Sequence, residues 1–439
     1  MLLCLLFPKS QILNPAFIPF IPVNIALLFN FLHSTSILLK KIFINRNLTY
    51  LWAGQVASQS GDSIYQIGLI WLALEMSGSE AVTGLVAMSM YLPAVALSIF
   101  AGAAADRMDR RRIMLFSDGF RTVLILFIPA AFYLKIISPG ALAVNAFAIA
   151  IAATFFNPSR DAFIPQIVPS NKLVNANSLI QTSWQFSLLI GPAIAGLLLH
   201  LAGKVHLFTF DALFYALSFF TIWLIGPSQS VIKSEKKGSG FSDIKQGFKY
   251  VYQDKIIFPL LIITMVDNLF IMGPAIVGAP VFVKEVLNEG APVYALLQGC
   301  YAIGMLAGTA LLLTYGKRFK KGKILLVGIF LDGVTFIPLF FAHSVTATAA
   351  TIIIHSLAIP LITVSRASII QDTVPGNFRG RVFALINIAV VGMSAVSSGL
   401  AGIIMEQIGA PMLFFIIGID GGLCGIAGWM WARKLREKA

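Results

Sequence analysis

Two carboxylates sit where a bilayer-crossing chain tolerates them least. Asp62 lies 13 residues into an apolar segment that begins near residue 49. At the rise of a helix this is about 20 Å along the span, past mid-depth. Asp267, followed by Asn268, holds the matching depth of another apolar segment, beginning near residue 256. A charge at that depth costs roughly 2.5–3.5 kcal/mol, so it faces a cavity or a partner. A facing pair of carboxylates can bind a cation or share one proton, because burial and mutual repulsion both favour neutralising one of them. Gln55, Ser58 and Gln59 lie one and two turns before Asp62, roughly on its face. Asp62, Gln55, Gln59, Asp267 and Asn268 are therefore the candidates for a polar site that binds a cation or a proton within the membrane.

Such a site needs helices around it. Hydrophobic residues make up 58% of the chain and charged residues 12%, with a mean hydropathy of +0.85. A soluble domain of this length must wet more of its surface than that allows. Twelve apolar segments long enough to cross a bilayer fall near 49–75, 80–104, 112–135, 140–160, 173–202, 206–226, 256–284, 291–315, 323–342, 346–370, 382–408 and 411–432. The alternating ten-residue strands of a membrane barrel are absent. The expected fold is all-α, with twelve transmembrane helices.

Topology accounts for the charge. All of the 32 Lys and Arg except Lys135, Lys204 and Lys284 fall in or beside segments on one side, and Glu75, Glu80, Glu285, Glu289 and Glu406 fall at the other. This bias places both termini in the cytoplasm. It also explains the net charge of +13 without nucleic acid. Cys4, Cys300 and Cys424 show no metal or redox spacing. No P-loop, H-E-x-x-H or G-x-S-x-G pattern is present, so no cofactor, ATP hydrolysis or membrane enzyme chemistry is expected.

The chain also repeats itself. Ser159-Arg160, Ile164 and Val168-Pro169 recur 206 residues later as Ser365-Arg366, Ile370 and Val374-Pro375, and the same offset carries Asp62 onto Asn268. Two parallel copies of one unit are the mark of a two-bundle transporter. The boundaries read as an apolar, proline-broken extension over 1–46, a six-helix half over 47–227, a polar linker over 228–255 and a second half over 256–439. The extension reads best as sequence upstream of the true start. The linker carries six lysines, with an amphipathic helix around Phe241–Tyr252.

Between spans two and three the chain reads Gly102-Ala-Ala-Ala-Asp106-Arg107-Met-Asp109-Arg110-Arg111-Arg112. This resembles the signature loop of the major facilitator superfamily, G-x-x-x-D-R-x-G-R-R, with Asp109 in place of a glycine. The Gly54-Gln55 and Gly61-Asp62 pairs of span one, Tyr91-Leu92-Pro93, the Asp118/Arg121 pair on span three, Phe156-Asn157-Pro158-Ser159-Arg160 and Phe378-Arg379-Gly380-Arg381 extend the match. Together they are similar to the third drug:proton antiporter branch, which includes macrolide efflux and siderophore export proteins, over about residues 47–435. The resemblance implies two pseudo-symmetric six-helix bundles in a bacterial-type inner membrane, with spans one and seven facing each other. It implies secondary export of a small amphipathic compound by proton antiport, with no obligate protein partner. A lipid-moving transporter is the alternative.

Roles follow by position. Gly102, Asp106, Arg107, Arg110, Arg111, Asp118 and Arg121 would form the conformational latch. Gly191, Pro192 and Gly196 resemble the export motif of span five, where the proline bends the helix and the glycines allow close packing. Arg160, Arg366, Arg379 and Arg381 would stand at the cytoplasmic gate. Two features depart from the pattern: the loop over 316–323 lacks an aspartate, and span four lacks a mid-span arginine. Asp211, Asp332 and Asp420 are expected in structural roles or interhelical pairing, and His355, alone in span ten, as a satisfied core histidine rather than a proton carrier.

Overall fold

The computed structural model describes residues 45–226 and 240–438. The N-terminal extension up to residue 44 and residues 227–239 of the linker lie outside the described residues. The helices are α1 (Arg46–Ser77), α2 (Glu80–Arg107), α3 (Arg110–Tyr133), α4 (Pro139–Ile167), α5 (Leu173–Leu201) and α6 (His206–Trp223). After a linker helix, Gly240–Gln253, follow α7 (Ile257–Glu285), α8 (Ala291–Tyr315), α9 (Lys321–Phe341), α10 (Val345–Thr373), α11 (Gly376–Ile408) and α12 (Ala410–Trp431).

Short polar residues start several of these helices. Asn45, Ser79, Asp109, Ser138 and Ser344 each accept a hydrogen bond from a first-turn backbone N–H, satisfying donors that would otherwise be orphaned in lipid. Asp109 accepts from the N–H groups of Arg111 and Arg112 at 3.0 and 3.2 Å. That capping role explains an aspartate where the family pattern has glycine. Gly78 ends α1 at φ 62 with its N–H on Leu74 O. The internal repeat has a structural counterpart: the N–H groups of Val168 and Val374 close α4 and α10 on Ile164 O and Ile370 O.

Among the described residues, eleven of the twelve long helices are apolar enough to cross a bilayer by composition alone. The exception is α1, which Gln55, Ser58, Gln59, Ser60, Asp62, Ser63 and Gln66 make too polar. It is also among the most enclosed helices, with Gln55 at 1% exposure, and it packs against α2, α5 and α6. Protein surrounds it where lipid surrounds the outer helices.

The two halves meet at the end that carries the acidic residues. Ile64, Ile67 and Trp71 of α1 and Ala195 and Leu198 of α5 share one apolar cluster with Val283, Ala291, Tyr294 and Ala295 of the second half. The rings of Trp71 and Tyr294 stack with centroids 6.2 Å apart. A second seam joins α2 to α11 through glycines. A Cβ on Gly84 would lie 2.6 Å from Ser398 O, and one on Gly402 2.3 Å from Glu80 O. Ser79 Oγ donates to Glu406 Oε1 across this seam at 2.8 Å. At the basic end the cores stay separate. One cluster there is built from residues of the first half, such as Leu48, Met114, Phe163 and Ile222. The other is built from Val251 onward, with Leu260, Leu325 and Ile369. The halves share an apolar core at the acidic end and keep separate cores at the basic end, where the linker helix still touches α2.

This geometry yields a test. Valine at Gly84 would strike a backbone carbonyl that cannot rotate away, which opens the acidic seam. Gly84→Val is expected to lower efflux at least tenfold with membrane yield within twofold of wild type, read by transport assay and immunoblot. Wild-type efflux would mean that this seam does not have to close.

Candidate functional site

A cavity of about 470 Å³ lies between the halves. Gln59, Asp62, Ser63 and Gln66 of α1 line one wall with Tyr91 and Trp184. Asp267 and Asn268 of α7, Asp332 of α9 and His355 and Arg366 of α10 line the other. Isoleucine, leucine, methionine and phenylalanine fill the spaces between them. A few convergent polar groups in an apolar concavity are what a small-molecule site requires. The fold brings Asp62, Gln59, Asp267 and Asn268 to this one cavity. Gln55 lies a turn below and reaches it through Gln59, whose Nε2 donates to Gln55 Oε1 at 3.3 Å. Arg160 Nη1 donates to the same oxygen at 2.8 Å, so a polar line runs from the basic end of α4 to the cavity.

Asp62 does not stand alone. Tyr215 Oη donates to Asp62 Oδ1 and accepts from Arg121 Nη1 at 3.0 Å. The Arg121 guanidinium lies over the rings of Phe156 and Tyr215, 5.1 and 5.0 Å from their centroids. It lies 3.9 Å from Asp118 Oδ1, and Ser218 Oγ donates to Asp118 Oδ2 at 2.7 Å. The expected latch pair Asp118/Arg121 is therefore wired to the cavity carboxylate through a tyrosine of α6. Asp211, one turn before Tyr215, is fully buried, and among the described residues neither carboxyl oxygen has a partner. It presses on the backbone of α1, where a Cβ on Gly61 would lie 2.2 Å from its Oδ1. Of the structural or interhelical role expected for Asp211, the packing against α1 is present, and no hydrogen-bond partner meets it among the described residues.

Asp332 pairs between helices as expected, with His355 Nε2 3.5 Å from its Oδ1. His355 is buried and bonded to Thr335, as a core histidine would be, and both residues also line the cavity. Arg366, expected at the gate, reaches the cavity and acts electrostatically on Asp267. Asp420 does not line the cavity.

The signature loop adopts a different arrangement. Asp106 and Arg107 are exposed, and Asp106 has no hydrogen bond or ion pair among the described residues. Arg110 donates to Ala105 O and Ala162 O at 2.9 and 3.1 Å. Arg111 donates to Ile222 O and Trp223 O at 3.2 and 2.6 Å, where the negative end of α6 meets a cation. The arginines hold helix ends rather than Asp106. A Cβ added at Gly102 would meet no described atom within 4 Å, so that glycine stands in open space. In α5, Gly191 lets α1 approach closely, since a Cβ there would lie 2.4 Å from Ser63 Cβ. Pro192 lines the cavity, and Gly196 faces Ala295 of α8. Arg379 Nη2 donates to Gln371 O at 2.8 Å, capping α10. Arg381 Nη1 donates to Gln246 Oε1 of the linker helix at 3.2 Å.

Two six-helix halves around a central polar cavity define a transporter of the major facilitator type. The chain belongs to the transmembrane secretion effector family, whose sequence profile matches residues 41–433. It is an efflux transporter of the major facilitator superfamily and crosses the membrane many times. It is 23% identical over 376 residues to macrolide efflux protein A of Streptococcus pyogenes, covering 84% of this chain and 91% of that protein. It is 28% identical over 388 residues to a putative bacilysin exporter, BacE, of Bacillus amyloliquefaciens, covering 86% and 93%. Its fold matches a bacterial homologue of the lysosomal transporter Spinster with a TM-score of 0.71 at 14% identity, covering 89% of this chain and 97% of that one.

Tyr215 carries no signal of its own in the sequence, although its spacing of four from Asp211 on one helix is visible there. Tyr215→Phe removes the bridge between Asp62 and Arg121. Hydrogen bonds to charged groups are worth about 1.5–3 kcal/mol, so a lower thermal unfolding midpoint in detergent and at least fivefold weaker export are expected. An unchanged midpoint together with unchanged export would contradict the bridge.

Proposed function

We propose that this chain exports a small amphipathic compound in exchange for protons, by rocking its two halves around the central cavity. The observation that carries the reading is that a carboxylate from each half, Asp62 and Asp267, opens onto one cavity walled by both. A proton entering that cavity neutralises a carboxylate and removes the cost of carrying it buried through the transition. The apolar lining suits the body of an amphipathic cargo, and two relatives are named for macrolide efflux and bacilysin export. The positive-inside bias assigns the basic end and both termini to the cytoplasm of a bacterial-type inner membrane. In that orientation the described conformation faces the cytoplasm, ready to load.

The other residues take roles consistent with this cycle. Asp106, exposed while the basic end keeps separate cores, becomes available to arginines or helix N-termini of the second half when that end closes. Arg107, Arg110 and Arg111 steady that end, and Asp118 and Arg121 couple it to Asp62. Gly191, Pro192 and Gly196 let α5 slide and bend against α1 and α8. Arg160, Arg366, Arg379 and Arg381 form the cytoplasmic gate and its helix caps.

The test is drug and siderophore accumulation in cells with and without the protein, at two external pH values. Export that rises with an inward proton gradient is expected. Asp62→Asn and Asp267→Asn should each cut the gradient-dependent part at least tenfold; full proton-coupled export in both variants would remove the coupling assignment. Asp106→Asn is expected to impair export severalfold with normal membrane insertion, whereas wild-type efflux would count against a latch.

A further inference from the structure

The cavity wall of the second half contains a gap with acceptors on both sides. Thr335 Oγ1 has one proton and donates it to Leu331 O at 2.6 Å. With that proton on Leu331 O, Thr335 Oγ1 accepts from His355 Nδ1, 2.9 Å away, and on this choice of network the imidazole proton is assigned to Nδ1. A neutral ring so oriented presents a lone pair at Nε2. That lone pair faces Asp332 Oδ1 at 3.5 Å, an oxygen with no hydrogen-bond partner among the described residues. Asp267 is close enough for its charge to act on Asp332, and its own Oδ1 is also without such a partner. Asp332 is 3% exposed and Asp267 5%, and both line the cavity. Arg366 acts on Asp267, and across the cavity Asp62 already accepts from Tyr215. Among the described residues, Asp332 and Asp267 are the cavity carboxylates to which no proton donor is hydrogen-bonded.

Buried acceptors are satisfied or costly. We infer that Asp332 and His355, with Asp267 beside them, form the subsite that binds a protonated primary or secondary amine of the exported compound. Such a group brings a positive charge and two or three N–H donors, enough to serve both Nε2 and the Asp332 carboxylate. Bonds between ionised partners are about twice as strong as neutral ones. The Phe336 ring, with its centroid 4.5 Å from that of His355, and Tyr301, at 6.3 Å, add aromatic surface beside the charge. A hydroxyl has a single proton and satisfies one side of the gap. A carboxylate would meet two carboxylates and be repelled. This subsite rests on the export reading and narrows its cargo to amphipathic amines.

The experiment is calorimetric titration of the full-length protein in phosphatidylcholine nanodiscs at pH 7, with empty nanodiscs as the blank. The probes are 1-naphthylmethylamine, 1-naphthalenemethanol and 1-naphthoic acid, which share one apolar body. The wild type is expected to bind the amine at least tenfold more tightly than the alcohol or the acid. Asp332→Asn should reduce that preference to threefold or less while the alcohol's affinity stays within threefold. Equal affinities in the wild type, tighter binding of the acid, no binding of the amine, or an amine preference that survives Asp332→Asn each overturns the subsite. The wild-type comparison decides the matter even if the variant misfolds. Failure here leaves export standing, because that reading fails only if the gradient-driven efflux of the accumulation assay is absent.

Discussion

A carboxylate that leaves water for the interior of a bilayer loses solvation worth several kcal/mol unless a partner or a proton compensates. Asp62, Asp118, Asp211, Asp267 and Asp332 all face that cost, and the architecture reads as a set of answers to it. In the first half Asp118 and Asp62 have partners, Arg121 reaching Asp118 directly and Asp62 through Tyr215, while Asp211 has none among the described residues. In the second half Arg366 acts on Asp267, while Asp332 Oδ1 faces His355 Nε2 at 3.5 Å. The two halves are thus chemically unequal in spite of their shared repeat. One wires its cavity carboxylate, Asp62, to the Asp118/Arg121 pair through Tyr215, and the other presents Asp267 and Asp332 to the cavity.

The same constraint explains the most polar helix. α1 carries a row of glutamines and serines that no lipid-facing helix could carry, and it sits inside its half, bonded to α5 by Ser60 with Ser187 and Gln59 with Ser183. Close packing there and at the acidic seam depends on glycines, because helices approach within Cβ distance only where the Cβ is missing. Gly61, Gly191, Gly84 and Gly402 mark such approaches. Packing of this kind adopts discrete arrangements rather than deforming continuously, so a seam of this sort either closes or parts.

Much of this is legible in the sequence for a local reason. Span length, charge bias and the repeated Ser-Arg motif are properties of a single segment, so the all-α architecture and the depth of Asp62 and Asp267 can be read directly. The linker helix, Gly240–Gln253, lies where an amphipathic helix is expected around Phe241–Tyr252. Contacts between segments are not legible. The loop residues are expected to act together as a latch, yet Arg111 reaches carbonyls of Ile222 and Trp223 on another helix. His355 looks solitary because Asp332 and Thr335, which define its chemistry, belong to the preceding span. Tyr215 escapes notice because an isolated tyrosine in an apolar helix signals nothing until α1 and α3 are placed on either side.

The account centres on two halves that tilt so that one end closes as the other parts. Spin labels at Leu134 and Phe341, both exposed and at the acidic end, and at Met108 and Phe319, exposed at the basic end, would follow each end separately. Pulsed electron-electron distances in nanodiscs at two pH values are the direct measurement. The account predicts opposite changes, with the basic-end distance shortening as the acidic-end distance lengthens. Distances that move together, or an acidic end that never parts under any condition supporting export, would contradict it.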